Sequence, residues 1–184
     1  FPAKKRALVT YSAGKDSMWN IWWAQKEYGS ENISALHISG LNRNNAAHER
    51  EFCLRQQKEF GLKNLKIVHL LNSSRNTGYR TMLSRDIFLS GLAIPLALEF
   101  GAQKIITEGF AETGSTEPFS GKPENILWFN EILHKMGIWV GVAWRNQLEM
   151  DTVKDLFENK PWWMPHVCNC FASPHHLPSR RAYW

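Results

Sequence analysis

The sequence predicts an α/β fold: a mostly parallel five-stranded sheet covered by helices on both faces in three layers, followed by an irregular C-terminal tail. Short runs rich in β-branched residues alternate with longer stretches of helical periodicity, and that order implies parallel strands joined by crossover helices. The first such run, Leu8-Val9-Thr10, ends in small residues and passes directly into a helical segment at Asp16 and Ser17. The composition is that of a globular chain with a substantial core: 184 residues, 43% hydrophobic and 21% charged.

After the strand Leu8–Thr10, a helix from about Asp16 to Tyr28 places Met18, Ile21, Trp22 and Gln25 at helical spacing, and Gly29-Ser30 stops it. Ile33–Ile38 reads as the second strand, and a polar loop, Ser39–Asn45, follows it. The next helix, about Ala46–Phe60, carries charge on one side and Phe52, Cys53 and Phe60 on the other, with Gly61 as a natural stop. Leu65–Leu70 is a third strand, and Asn72–Thr81 is a loop rich in Asn, Ser, Arg and Gly. A helix from about Arg85 to Phe100 is apolar on nearly every face. It is expected to be buried on most sides, with Pro95 as a kink or boundary. Gln103–Glu108 gives a fourth strand. A long irregular stretch, Ala111–Pro123, leads into a helix near Glu124–Met136, then a short fifth strand at Ile138–Val142 and a last helix at Met150–Glu158.

The chemistry concentrates in Ser12-Ala13-Gly14-Lys15-Asp16-Ser17. A strand that turns through small residues into a helix start presents several backbone N–H groups at one point. With the positive end of the helix dipole they suit a phosphate. Gly14 permits a backbone geometry that a side chain would obstruct. Ser12 and Ser17 offer hydroxyls, Lys15 a positive charge, and Asp16 either a helix cap or a magnesium contact. The same residues would also serve an ordinary tight strand-to-helix turn. This is not the Walker A pattern, which needs two glycines before Lys-Ser/Thr. In a parallel sheet, ligands gather outside the carboxyl ends of the strands. Ser12–Asp16, Ser39–Asn45 and the segment from Leu71 onward all fall at that edge.

The formal net charge of +5 is compatible with an anionic ligand such as ATP or RNA without marking a nucleic-acid surface. No apolar stretch reaches membrane-spanning length: the longest, Ile87–Phe100, is broken by Gly91, Pro95 and Glu99. The basic start, Phe1 to Arg6, lacks the long apolar run of a signal peptide. The absence of an initiator Met suggests the ordered or processed part of a longer chain. Three Cys cannot form a disulfide framework without leaving one over, so a cytoplasmic protein is expected. Nine Trp is high for this length; Trp19, Trp22, Trp23, Trp162 and Trp163 read as core or interface packing rather than base-stacking groups.

The turn resembles the Ser-Gly-Gly-x-Asp-Ser signature of the PP-loop ATP pyrophosphatases, which split ATP between its α- and β-phosphates. Ala13 stands where a glycine is usual, which puts a methyl group beside the expected pyrophosphate site. Several further segments resemble one subfamily, the 7-cyano-7-deazaguanine (preQ0) synthases of queuosine biosynthesis. Arg85-Asp86-Ile87-Phe88-Leu89-Ser90 is similar to that family's Arg-Asn-x-Ile-Phe-Leu-Ser helix start, with one residue fewer. Phe119-Ser120-Gly121-Lys122-Pro123-Glu124 is similar to Phe-Ser-Gly-x-Pro-Asp, and His48 and Glu49 loosely echo a His-x-x-Glu segment. The resemblance spans Leu8 to Cys170. It implies an adenine nucleotide alpha hydrolase-like, Rossmann-like fold, with residues 1–160 as the nucleotide-binding domain and 161–184 as an irregular segment suited to a metal.

By that resemblance Ser12, Ala13, Gly14, Lys15, Asp16 and Ser17 hold ATP with Mg2+. Lys15, Asp16 and Arg85 act in catalysis, and Glu108, Glu112, Phe119 and Glu124 face the substrate. The implied reaction adenylates a deazapurine carboxylate, releases pyrophosphate, and passes the acyl group to ammonia or another amine to give an amide or nitrile. The sequence departs from the family after Glu124, where Asn125-Ile126 replace Cys-Arg. It departs again near the end, where a four-cysteine zinc site is expected; His166, Cys168, Cys170 and His175 or His176 are the residues available for Zn2+. Cys53, on a helix, reads as core. The implied partners are the small-molecule carboxylate and amine, with a protein or nucleic-acid acceptor as an extension, no membrane, and a homodimer or larger complex. Other PP-loop chemistry, tRNA thiolation or sulfonucleotide reduction, and a non-catalytic nucleotide-binding subunit are the alternatives.

Overall fold

The computed structural model describes residues 5–39, 46–70, 85–107, 123–144 and 149–167. Five strands, β1 (Ala7–Thr10), β2 (Ile33–Ser39), β3 (Leu65–His69), β4 (Lys104–Thr107) and β5 (Gly141–Trp144), alternate with five helices. The helices are α1 (Lys15–Tyr28), α2 (Ala46–Glu59), α3 (Arg85–Phe100), α4 (Pro123–Lys135) and α5 (Glu149–Asn159). All pairings are parallel, in the order β3-β2-β1-β4-β5. The predicted α/β class and five-stranded parallel sheet are therefore present.

Period-two alternation along β1 divides the core. Ala7, Val9 and Tyr11 face one side with Ile33, Ala35 and Ile106; they pack under Met18, Trp19, Ile21 and Ala24 of α1, Phe52 and Cys53 of α2, and Leu156 of α5. Leu8 faces the other side with Leu36, Ile38, Ile105 and Val142, under Ala93 and Ala97 of α3 and Ile126 and Leu133 of α4. Each fully buried side chain of the size of Leu8 or Ile105 contributes roughly 1.5–3 kcal/mol relative to exposure, so both layers hold the sheet. Cys53 is core, as expected, and so is Trp19; Trp22 and Trp23 are partly buried against the same cluster.

Three expectations change. The fifth strand runs Gly141–Trp144 rather than Ile138–Val142. Ile138 is held by its N–H on Leu133 O and Val140 is buried in the second cluster, so that apolar run is a packed connection. Ladder pairing begins only where Gly141 N–H reaches Gln103 O at 3.0 Å. Helix α3 is buried along a stripe of small residues, Ser90, Ala93 and Ala97, while Phe88, Leu92 and Leu98 are exposed. It also continues through Pro95, which lies on the exposed side where a lost backbone bond is most easily met by water. The tail is not irregular at its start: Pro161–His166 forms a 3-10 turn with Trp163 buried. The expected loop at Asn72–Thr81, the expected irregular stretch Ala111–Pro123 up to its last residue, and the tail beyond Val167 lie outside the described residues.

Candidate nucleotide site

The strand order reverses direction at β1, whose neighbours are β2 on one side and β4 on the other. The chain leaving β1 therefore crosses the carboxyl edge of the sheet at the crevice where ligands of such folds collect. Residues Tyr11–Gly14 make that crossing. Gly14 is the N-cap of α1, with extended backbone (φ −79°, ψ 167°), and as a glycine it supplies no side-chain cap. Its carbonyl accepts from Met18 N–H at 2.9 Å, so the first-turn N–H groups have no partner within the helix ladder. Asp16 is thus not the cap; it sits in the first helical turn.

The turn residues bond one another. Ser17 Oγ donates to Gly14 O at 3.0 Å and accepts from Ser12 N–H at 3.2 Å, and the Ser12 and Ser17 hydroxyls are 3.2 Å apart. Gly14 N–H points at Ser12 Oγ, 3.4 Å away. The Lys15 ammonium lies 2.8 Å and 3.0 Å from the two Asp16 carboxylate oxygens, and both side chains are half-buried. One cation, one carboxylate, two hydroxyls and an uncapped helix N-terminus are gathered within six successive residues. Such a set suits a polyphosphate with its magnesium: N–H groups and ammonium toward phosphate oxygens, carboxylate toward the metal.

Ala13 adopts φ +65°, a left-handed conformation that costs an L-residue roughly 1–2 kcal/mol. Its methyl group is fully buried, within the cluster that includes Met18 and Trp19. The strain is imposed by the surroundings. Tyr11 hydroxyl donates to Gln56 Oε1, and Gln56 Nε2 donates to Ala13 O at 3.2 Å and to His166 O, with Met18 Sδ 3.8 Å away. On the other flank, Thr10 Oγ1 meets Ile106 O at 3.2 Å and Thr107 Oγ1 at 3.4 Å, and Asn20 Nδ2 donates to Thr107 O at 3.3 Å. These bonds fasten the end of β1 and the first turns of α1 to the end of β4.

His37, on β2, is 2% exposed. Its Nδ1 donates to Tyr11 O at 2.9 Å, and its Nε2 is buried with no partner among the described residues. Burial lowers its pKa from the ordinary value, with the Tyr11 carbonyl a smaller opposing influence. At the ends of β2 and β3, Ser39 Oγ and His69 Nδ1 are 2.9 Å apart. Glu49, near the start of α2, is partly buried and its carboxyl pKa is raised by desolvation.

The structure thus brings together Ser12, Ala13, Gly14, Lys15, Asp16 and Ser17. Arg85 is the first residue of α3, and its side chain is not among those described. Glu124 is exposed in the first turn of α4. Glu108, Glu112, Phe119, Cys168, Cys170 and His175 lie outside the described residues. His166 ends the 3-10 turn with its ring edge-on to Phe60, centroids 6.4 Å apart. Among the described residues no group of three His, Cys, Asp or Glu is placed to hold a metal ion. Gln56 and Asn20 were missed by sequence reasoning. Gln56 carried a signal, as a polar residue on the helix face shared by Phe52, Cys53 and Phe60; Asn20 carried none.

No protein-family model matches the sequence, and no curated protein matches it. Among solved structures, the chain superposes on the U34-tRNA thiolase NcsA from Methanococcus maripaludis, determined with its 4Fe–4S cluster. The TM-score is 0.55 over 90% of this chain, with 12% sequence identity. The fold is shared. The chain spans 58% of the thiolase's length. A second match, L-threonine dehydrogenase from Phytophthora infestans, has a TM-score of 0.36 at 18% identity, over 76% of this chain and 52% of that one. Among the described residues no helix is long and apolar enough to cross a membrane.

Proposed function

We propose that this chain is an ATP-using enzyme of the PP-loop ATP pyrophosphatase type that activates a carboxylate as its adenylate. The observation that carries the reading is the uncapped start of α1 at the β1–β4 crevice, flanked by the Ser12 and Ser17 hydroxyls and the Lys15–Asp16 pair. The shared fold with a thiolase of that superfamily supports it. ATP supplies the electrophilic α-phosphorus. The substrate carboxylate attacks there, the bond to the bridging oxygen breaks, and pyrophosphate leaves with the electron pair. An amine then attacks the acyl carbon, a proton is lost and AMP departs, leaving an amide. Where the amine is ammonia, a second ATP adenylates the amide oxygen with release of pyrophosphate, and loss of AMP and the nitrogen's protons gives the nitrile. For this chain's residues the task is alignment and charge neutralisation. Lys15 and the first-turn N–H groups would neutralise phosphate oxygens, Ser12 and Ser17 would orient them, and Asp16 would hold the magnesium that accompanies ATP, which would supply further charge neutralisation.

The finer reading rests on sequence resemblance: a 7-deazapurine carboxylate as substrate, with Arg85, Glu108, Glu112, Phe119 and Glu124 on its side, and ammonia or another amine as acceptor in the cytoplasm. Zinc at His166, Cys168, Cys170 and His175, and assembly into a homodimer or a larger complex, belong to the same proposal. The second reading, tRNA thiolation, is favoured by the thiolase likeness. Cys53 is fully buried in the core, which leaves Cys168 and Cys170, fewer than the thiolates that ordinarily hold an iron–sulfur cluster.

The test is product analysis after incubation with ATP, Mg2+, 7-carboxy-7-deazaguanine and ammonia, with Asp16→Asn as control. AMP, pyrophosphate and a nitrile together are expected, and AMP formation should fall at least about 100-fold in the variant, the scale of losing a preorganised charge. AMP with an amide only would indicate a repurposed ligase. ATP binding without AMP formation across a panel of carboxylates would favour a non-catalytic subunit.

A further inference from the structure

The proposed ATP site stands on a turn whose strained backbone is held from below by one side chain. Gln56 is completely buried, among Met18, Phe52, Cys53 and Phe60, where a leucine would satisfy packing alone. Its amide instead joins three segments far apart in sequence. Oε1 accepts from the hydroxyl of Tyr11 at the end of β1, while Nε2 donates to the carbonyl of Ala13 in the turn and to the carbonyl of His166 in the C-terminal 3-10 turn. Both carbonyls are drawn toward the same amide nitrogen, so displacement of either segment weakens the bond to the other. The C-terminal turn has a second anchor on α2's end: Trp163 stacks on Phe60, ring centroids 4.1 Å apart.

Holding the Ala13 carbonyl inward has a consequence for the ligand side. The trans peptide places the Ala13 carbonyl and the Gly14 N–H on opposite sides of the chain, so Gln56, by holding the carbonyl inward, fixes the Gly14 N–H on the other side, where it points at Ser12 Oγ 3.4 Å away. We propose that Gln56 is a positioning residue that couples residues 161–167 to the phosphate turn: the anion-binding conformation at Ala13 and the seated C-terminal turn are two halves of one arrangement. The inference rests on the reading that the turn binds ATP. Coupling through a shared buried amide is reciprocal. Occupancy of the turn steadies residues 161–167, and loosening those residues weakens binding at the turn.

The experiment combines calorimetry of Mg-ATP binding with amide hydrogen exchange on the full chain. In the wild type, Mg-ATP should bind and slow exchange at residues 161–167. Gln56→Leu should weaken binding roughly tenfold, within the usual range of coupling effects, and abolish the slowing. Tyr11→Phe, which leaves both carbonyl bonds in place, should retain both. Trp163→Leu loosens the C-terminal turn without touching Gln56 or Ala13, and should weaken Mg-ATP binding by a similar factor even if Gln56→Leu fails to fold. A purely structural Gln56 would lower the thermal midpoint of the ligand-free chain and leave ligand-linked exchange intact, which would overturn the proposal. Binding to the wild type with unchanged exchange at 161–167 would overturn the coupling alone. No binding of Mg-ATP to the wild type would remove the ATP reading and the coupling with it.

Discussion

The two faces of the sheet are built differently. The face under α1, α2 and α5 is aromatic and polar at once: Trp19, Phe52, Phe60 and Trp163 belong to its core, Gln56 is fully buried on the same side, and Trp19 Nε1 donates to Asp155 Oδ2 at 3.0 Å to tie α1 to α5. The face under α3 and α4 is aliphatic, with small residues at its closest approach. Its outer surface exposes Phe88, Leu92, Leu127 and Trp128, and Trp139 stands 76% exposed beside His134. The candidate turn belongs to the first face. A phosphate site needs fixed donors, and buried hydrogen bonds among large rings hold a strained backbone more firmly than an aliphatic layer, which repacks with less loss. The first face should therefore be both the more sensitive to substitution and the one whose defects reach the site.

The largest expected effect follows from that difference. Trp163 is 2% exposed and stacked on Phe60, and Trp163→Ala leaves a cavity where no neighbouring backbone can collapse without releasing His166 from Gln56. A loss of about 3–5 kcal/mol is expected, the range for removing a buried large aromatic side chain. Urea unfolding measures it directly. A loss below about 1 kcal/mol would mean that the C-terminal turn is a loose attachment and that the two faces do not differ as described.

The pH response sharpens the same contrast, because His37 belongs to the first face. Its folded pKa lies below the ordinary 6.5 through burial, while the unfolded chain titrates near that value. Below the unfolded value, the unfolded state takes up a proton that the folded state does not, so stability falls with pH from that value down to the folded one. Above it, the contribution is fully present. Glu49 has the opposite sign: its raised folded pKa favours folding at low pH, and that contribution fades as pH rises from 4.5 through the folded value. The thermal midpoint between pH 7 and 5 should drop more steeply in the wild type than in His37→Gln. Equal slopes would show that His37 protonates freely and that the first face opens near the turn.

How much of this was legible in the sequence follows from the same physics. Strands β1 to β4 and all five helices were readable because periodicity, glycine stops and propensity agreed. The fifth strand was misplaced because an apolar run reports burial, not pairing; Val140 is as buried as a strand residue without being one. On α3 size misled: the buried positions are Ala93 and Ala97, since close packing on the sheet favours small side chains over the leucines beside them. The turn itself was found from six residues, but the orientation of Ala13 was not, because the direction of a methyl depends on a φ set by Gln56 across 43 residues of chain.

Ala13→Gly offers a smaller and more discriminating measurement. Glycine removes the left-handed strain, worth roughly 1–2 kcal/mol, but adds unfolded-chain freedom worth roughly 0.5–1 kcal/mol and gives up the methyl's burial. The net change should lie within about 1 kcal/mol of zero. On the proposed ATP reading, binding should be unaffected, since the methyl is buried in the core. A marked gain in ATP affinity would place that methyl against the phosphates and reverse the described orientation.

The smallest effect on folding is expected on the opposite face, and it is informative for that reason. Leu127 and Trp128 on α4, and Trp139 after it, are at least 59% exposed and lie outside the buried clusters. Trp139→Ser or Leu127→Lys should change stability by no more than about 0.5 kcal/mol, as for surface positions generally. The adjoining Ile126, buried in the same helix, sets the contrast: Ile126→Ala should cost about 2–5 kcal/mol by the usual cost of emptying a core site. If Trp139→Ser instead destabilised the chain by more than 1 kcal/mol in dilute solution, the ring would have to be covered by other parts of the same chain. The second face would then be a closed layer like the first, and the asymmetry that assigns rigidity to the turn between β1 and α1 would lose its structural basis.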